Sequence, residues 1–138
     1  LFKTSFTNEN YTLFRDKNIR SYFCKFRISS HSLQIEKGRY TKPKTPRELR
    51  ICDFCELNEI ENEYHFFMDC ALYEPDRKIM FEKLISYCDI QWMCAIDIFK
   101  FLLSTQDMEI LSTVTKFVER CFRERESVIA SWYSNKSL

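Results

Sequence analysis

Apolar positions along this 138-residue chain recur mostly at helical spacing. Between Tyr11 and Ile28 they fall at Phe14 (or Tyr11), Ile19, Tyr22, Phe23 and Phe26, while Arg15, Lys17, Arg20, Lys25 and Arg27 fill the opposite face. That spacing predicts an amphipathic helix, ended by Ser29-Ser30. Leu33 and Ile35 alternate with polar residues and lead into Lys37-Gly38-Arg39; Gly38 is the sole glycine of the chain, and a turn with positive φ is expected there. Residues 40–50 carry Pro43 and Pro46 among Lys42, Lys44, Arg47 and Arg50, the pattern of an extended basic connector. Glu61 to Cys70 reads as helical. A further helix is predicted from about Pro75 to Tyr87, with proline at its first position and Ile79, Met80, Phe81, Leu84 and Ile85 apolar. Trp92 to Leu103 is short and very apolar, through Met93, Ile96, Phe99, Leu102 and Leu103. Thr105 or Asp107 can cap the last helix, with Asp107 and Glu109 suited to its positive end, and the helix runs to about Trp132 on a stripe of Leu111, Val114, Val118, Cys121 and Phe122.

Strand signals are minimal, so the predicted fold class is mainly α: a small helical bundle with little or no sheet. The length suits a single domain, residues 1–138, read as a basic helix and turn (1–39), a basic connector plus knuckle (40–74) and C-terminal helices (75–138). Apolar residues make up 45% and aromatics 16%, enough for a folded core. No apolar run approaches the ~18 residues that cross a bilayer, so no membrane partner is expected. The chain opens on Leu1 rather than Met and is expected to be a piece of a longer polyprotein.

Candidate chemistry lies between Cys52 and Cys70. Cys52-Asp53-Phe54-Cys55, nine residues, then His65, four more residues and Cys70 form the pattern C-x2-C-x9-H-x4-C. Three thiolates and an imidazole suit tetrahedral zinc, and four protein ligands leave no open position for water or substrate, so one structural Zn²⁺ is expected on Cys52, Cys55, His65 and Cys70, a CCHC zinc finger. Two residues between cysteines let both thiolates converge from one tight turn. His65 and Cys70 stand about 140° apart around an ideal helix, so Cys70 must lie at or just past a helix end, with a break near Cys70–Glu74. Phe54, Phe66 and Phe67 are expected to pack beneath the site. A redox C-x2-C needs a thioredoxin-like βαβ context, which this stretch lacks.

Seven cysteines also raise the possibility of a secreted disulfide framework. The odd count opposes it, and Cys24, Cys88, Cys94 and Cys121 sit in apolar or helical patterns as candidate core residues. A reduced, intracellular protein of the cytoplasm or nucleus is expected. The net charge of +1 hides an asymmetry: residues 1–50 hold twelve Lys/Arg and four Asp/Glu, residues 51–110 four and thirteen, and residues 111–138 five and three. A basic third beside an acidic third suggests a dipolar surface or a basic arm that faces nucleic acid.

The run Arg27-Ile28-Ser29-Ser30-His31-Ser32-Leu33-Gln34-Ile35-Glu36-Lys37-Gly38-Arg39-Tyr40 leads to Arg50-Ile51-Cys52-Asp53-Phe54-Cys55. Ile60-Glu61-Asn62-Glu63-Tyr64-His65-Phe66 follows, then Cys70, Tyr73 and Arg77. These segments resemble the region downstream of the reverse transcriptase domain in non-LTR retrotransposons, and the later part is similar to the reverse-transcriptase zinc-binding module. The resemblance covers roughly residues 20–85, about half the chain. It implies an accessory module of a polyprotein that copies RNA into DNA, helping to hold nucleic acid, with Cys52, Cys55, His65 and Cys70 as the only residues that carry over. The polymerase's paired aspartates are absent, since Tyr87-Cys88-Asp89-Ile90 lacks the second, so the piece is expected not to be an enzyme by itself.

Three functions compete. In the first, a zinc-stabilised module binds RNA or DNA: Lys42, Lys44, Arg47 and Arg50 contact phosphates with Arg39 nearby, and Tyr40 stacks on an unpaired base. In the alternative, the zinc domain is purely structural and serves intrachain or protein–protein packing with the rest of the parent polyprotein. The third is a nuclease on Pro75-Asp76 and, after twelve intervening residues, Asp89. Helix geometry opposes it, because thirteen positions along one helix span about 20 Å, too far for one Mg²⁺ to bridge. His31, with no partner at ligand spacing, reads as a surface histidine. No nucleophile constellation and no Gly-rich phosphate loop occurs, so no small-molecule substrate is expected.

Overall fold

A computed structural model describes Phe14 and residues 16–136. Among the described residues five α-helices run in order: α1 (Lys17–Arg27), α2 (Gln34–Lys37), α3 (Glu74–Ile85), α4 (Ala95–Ser104) and α5 (Met108–Lys136). The fold is mainly α, as the periodicity predicts, and the one strand-like pairing among the described residues is an isolated antiparallel bridge between Ile51 and Ile60.

The carboxylate of Asp16 caps α1 by accepting from the N–H groups of Asn18 (2.9 Å) and Ile19 (3.3 Å). The part of the predicted helix at residues 11–13 and 15 lies outside the described residues. The far end closes where Ser29 takes φ 58°, which lets the Ser30 N–H reach back to the Lys25 carbonyl at 2.8 Å. Asp107 caps α5 in the same way, accepting from Glu109 and Ile110 at 3.0 and 3.1 Å. α5 is the spine, packed against α1, α3 and α4. Its predicted stripe, Leu111, Val114, Val118, Cys121 and Phe122, is buried throughout.

Two predicted elements differ from expectation. The predicted Trp92–Leu103 helix begins only at Ala95, after a turn that leaves Trp92 86% exposed. The basic connector is not extended. It folds on itself through Thr45 N–H to Gly38 O (3.0 Å) and a 3₁₀ turn over Arg47–Leu49.

Gly38 corrects the expectation attached to it. Its φ is −64°, ordinary right-handed backbone. The residue is small because Arg50 lies against it: a Cβ there would stand 2.7 Å from Arg50 Cγ. Close approach, not left-handed conformation, is what glycine supplies here.

Candidate metal centre

Three local structures converge on the site. The first is the knuckle. The Ile51–Ile60 bridge holds a short hairpin, with Cys52 N–H bonded to Glu59 O at 3.0 Å and Glu61 N–H to Arg50 O at 2.9 Å. Inside the turn the Phe54 N–H points at Cys52 Sγ, 3.4 Å away, so the backbone curls around the first sulfur and brings Cys55 to the same side.

The second is the segment that carries His65. Asn62 starts it, its side-chain oxygen accepting from the His65 N–H at 2.8 Å. Residues His65–Asp69 then form a π-helical turn. It closes with the Cys70 N–H on the His65 carbonyl at 2.8 Å, a bond spanning five residues rather than four. The wider turn brings side chains five apart toward one face, which removes the angular mismatch of an α-helix. Cys70 itself is extended (φ −60°, ψ 127°), and a 3₁₀ turn, Ala71–Tyr73, separates it from α3. The predicted break therefore falls where the ligand spacing requires it.

The third is a set of buried ionic groups. Arg77, 5% exposed, sends its guanidinium back from α3 to the carbonyls of Phe67 (2.9 Å), Phe66 (3.3 Å) and Cys70 (2.9 Å), tying the π turn to that helix. Glu61, 1% exposed, accepts from the Gln34 N–H and from Arg125 Nη2, each at 2.8 Å. Its other oxygen lies 3.8 Å from Cys52 Sγ. Arg125 also donates to the Ser32 carbonyl at 3.1 Å, so α5 is pinned to the knuckle and to the start of α2 together.

Cys52, Cys55, His65 and Cys70 present four ligand atoms that all lie within 4.8 Å of one another, a group that could hold a metal ion. Cys52 Sγ and Cys70 Sγ are 3.8 Å apart, and Cys55 Sγ lies 3.4 Å from His65 Nε2. The sulfurs are free thiols, and 3.8 Å is far beyond the ~2.05 Å of a disulfide. Cys52, His65 and Cys70 are buried and Cys55 is half-buried. The other imidazole nitrogen, Nδ1, meets Glu59 at 3.0 Å, which orients Nε2 toward the sulfurs.

Proton affinities report the same crowding. Burial works against the His65 imidazolium, but hydrogen bonds to Cys52 and Glu59 outweigh it and hold the pKa at about 9. The hydrogen bond shared with Cys70, together with burial, pushes the Cys52 thiol up, and the same bond pulls Cys70 down. A metal entering the cluster displaces these protons.

Phe66 and Phe67 lie beneath the site, both fully buried. Phe66 stacks on Phe122 (4.5 Å between centroids) and Phe67 meets Phe117 edge-on (5.1 Å). Phe54 is only half-buried and stacks on Trp132 instead.

Of the proposed phosphate contacts, Arg39, Lys42, Lys44 and Arg47 are exposed, as is Tyr40. Arg39 also pairs with Glu36 at 3.1 Å. Arg50 must be withdrawn from that set. It is 7% exposed, and its guanidinium donates to the carbonyls of Ile35 (2.8 Å) and Thr45 (3.0 Å), so it braces the loop from inside. His31 is not a surface histidine: its side chain is 2% exposed and its Nε2 bonds Glu63 at 2.9 Å. Burial would raise the Glu63 carboxyl, but His31 and Ser29 hold it below its ordinary value. Among the other cysteines Cys121 is core, Cys24 and Cys88 are half-buried, and Cys94 is exposed, contrary to expectation. Asp76 lies in the first turn of α3 opposite Arg120 at 3.6 Å, and Asp89 is exposed beyond that helix.

Sequence reasoning missed Glu61, Arg77 and Arg125 as parts of the site. Arg125 left a signal, a cation three positions past Phe122 on the apolar stripe of α5. Glu61 was hidden among like residues. No protein-family model, curated protein or solved structure matches the chain. No described helix is long and apolar enough to cross a membrane.

Proposed function

We propose that the four-residue cluster holds one structural zinc ion, and that the chain is a nucleic-acid-binding accessory module, not catalytic by itself, of the kind that follows the reverse transcriptase domain in non-LTR retrotransposon polyproteins. Three thiolates and one imidazole favour zinc over hard cations, and four protein ligands favour a structural over a catalytic role. A zinc tetrahedron with bonds of ~2.3 Å to sulfur and ~2.0 Å to nitrogen has edges of about 3.8 Å between sulfurs and about 3.5 Å between sulfur and nitrogen. The separations of 3.8 Å and 3.4 Å fit those edges.

The observation that carries the nucleic-acid half is the loop braced against this cluster. With Arg50 turned inward as its anchor, the loop presents Arg39, Lys42, Lys44 and Arg47 to solvent together with Tyr40, which is 78% exposed. A fixed array of cations binds phosphates without reading sequence, and an exposed tyrosine offers a base a stacking surface. Titrating salt against labelled RNA and single-stranded DNA tests it. Four phosphate contacts give a slope of about −3 in log K against log salt. Lys42→Glu, Lys44→Glu and Arg47→Glu together should flatten that slope and weaken binding, and absence of binding at low salt rejects the proposal.

A second reading has its own support. Arg50, Arg77 and Arg125 are all buried and bonded to protein groups, so part of the chain's basic character serves the fold. In that reading zinc orders a packing domain for the rest of a polyprotein. The same triple charge reversal separates the two, since nucleic-acid affinity unchanged by it makes the loop a scaffold.

A further inference from the structure

We infer that the cleft between the knuckle and the end of α5 is a stacking site for an unpaired nucleobase of single-stranded RNA or DNA. This rests on the nucleic-acid reading above and adds a contact region remote in sequence from the exposed cations at 39–47.

The cleft, about 170 Å³, has Phe54, Trp132 and Tyr133 as its aromatic wall and Lys37, Arg125 and Lys136 among its charged groups. Phe54 lies between the ligands Cys52 and Cys55, so the metal knuckle sets where its ring stands. That ring stacks on Trp132 (5.0 Å between centroids, 18° between planes), and the Arg125 guanidinium lies 5.0 Å from it. Trp132 is therefore held in one orientation, yet it stays 40% exposed, and Tyr133 beside it 65%. Neither ring belongs to the buried core. Both rings keep exposed surface at the last turns of α5, with Lys136 Nζ 5.8 Å from the Tyr133 ring centroid, whereas the apolar residues from Ile110 to Phe122 on the same helix are buried.

Charge selects the occupant. Arg125 is buried and paired with Glu61, so the charges the lining offers an occupant are the cations Lys37 and Lys136 against the one acid Asp53, which accepts from Gln34 Nε2 at 3.0 Å. Lys37 ends α2 and directly precedes Gly38 and the exposed basic loop, so one cation of the cleft stands next in the chain to the surface proposed to hold phosphates. Aromatic faces set among cations bind single strands with little regard to sequence, because every base has a π-face. A duplex keeps its bases stacked inside and has none to offer.

The test uses the zinc-loaded protein with Trp92→Phe, which leaves Trp132 as the sole tryptophan. Short labelled oligothymidylate, oligouridylate and a matched duplex are titrated, with anisotropy of the label and Trp132 emission read together. Single strands should quench Trp132 saturably, with the same midpoint as the anisotropy, while the duplex binds without quenching. Trp132→Leu should weaken single-strand binding at least about fivefold and leave duplex binding unchanged, with zinc content and helicity unaltered as the folding control. Single strands bound without quenching, equal quenching by duplex, or full single-strand affinity in Trp132→Leu would each overturn the cleft alone. No binding of any nucleic acid at low salt would remove both the cleft and the proposed function.

Discussion

The segment from Glu36 to His65 and the helix α5 are about equally long and are held in opposite ways. Along α5, Ile110, Leu111, Val114, Phe117, Val118, Cys121 and Phe122 are buried against neighbouring helices, and dispersion and hydrophobic burial suffice. Between Glu36 and His65 the buried apolar list shrinks to Cys52, one of the four candidate ligands. What orders that stretch is polar: Arg50 on two carbonyls, Glu61 on Arg125 and on the Gln34 N–H, and the Cys/His cluster. A loop that displays cations cannot also bury apolar side chains, so it must be fastened by a few strong, directional contacts.

Removing the proposed zinc should break this contrast most visibly. A structural zinc contributes on the order of 10 kcal/mol in finger peptides, comparable to the whole stability of a small domain. Chelation should abolish amide-exchange protection over residues 50–70 and lower the melting temperature by more than about 10 °C. Equal protection with and without chelator would mean that packing alone orders the knuckle.

The next effect falls on the pin between the two regions. Arg125→Met strands Glu61, 1% exposed, without its cation and should cost about 3–5 kcal/mol in urea denaturation. Pairing it with Glu61→Gln should recover much of that loss, because the burden is the uncompensated charge rather than the missing attraction. A double variant no more stable than Arg125→Met alone would show the pair to be irreplaceable.

The smallest change sharpens the role of the inward arginine. Gly38→Ala places a methyl group 2.7 Å from Arg50 Cγ and should cost about 1–3 kcal/mol. The loss should be smaller in an Arg50→Ala background, where the space is open. Equal costs in both backgrounds would return the effect to backbone conformation.

That Cys52, Cys55, His65 and Cys70 come together was legible because their chemistry and spacing constrain each other, and the helices were legible because their apolar stripes repeat. The π turn was not legible. Spacing showed that His65 and Cys70 could not share a face of an α-helix, but a frayed end and a five-residue hydrogen bond solve that problem equally well on paper. Arg50 was misread for a related reason. It stands in a row of exposed cations, and only the fold, through the approach of its aliphatic chain to Gly38, distinguishes the anchor from its neighbours. His31 needed Glu63, thirty-two residues away, to become a buried partner.

Metal content of the purified protein and of its His65→Ala variant, measured by elemental analysis against protein concentration, tests the central claim most directly. One zinc per chain in the parent protein, lost in the variant together with protection of the thiols of Cys52, Cys55 and Cys70 from alkylation, is the predicted result. A folded parent protein that carries no zinc, takes none up, and leaves those three thiols as reactive as exposed Cys94 would contradict it.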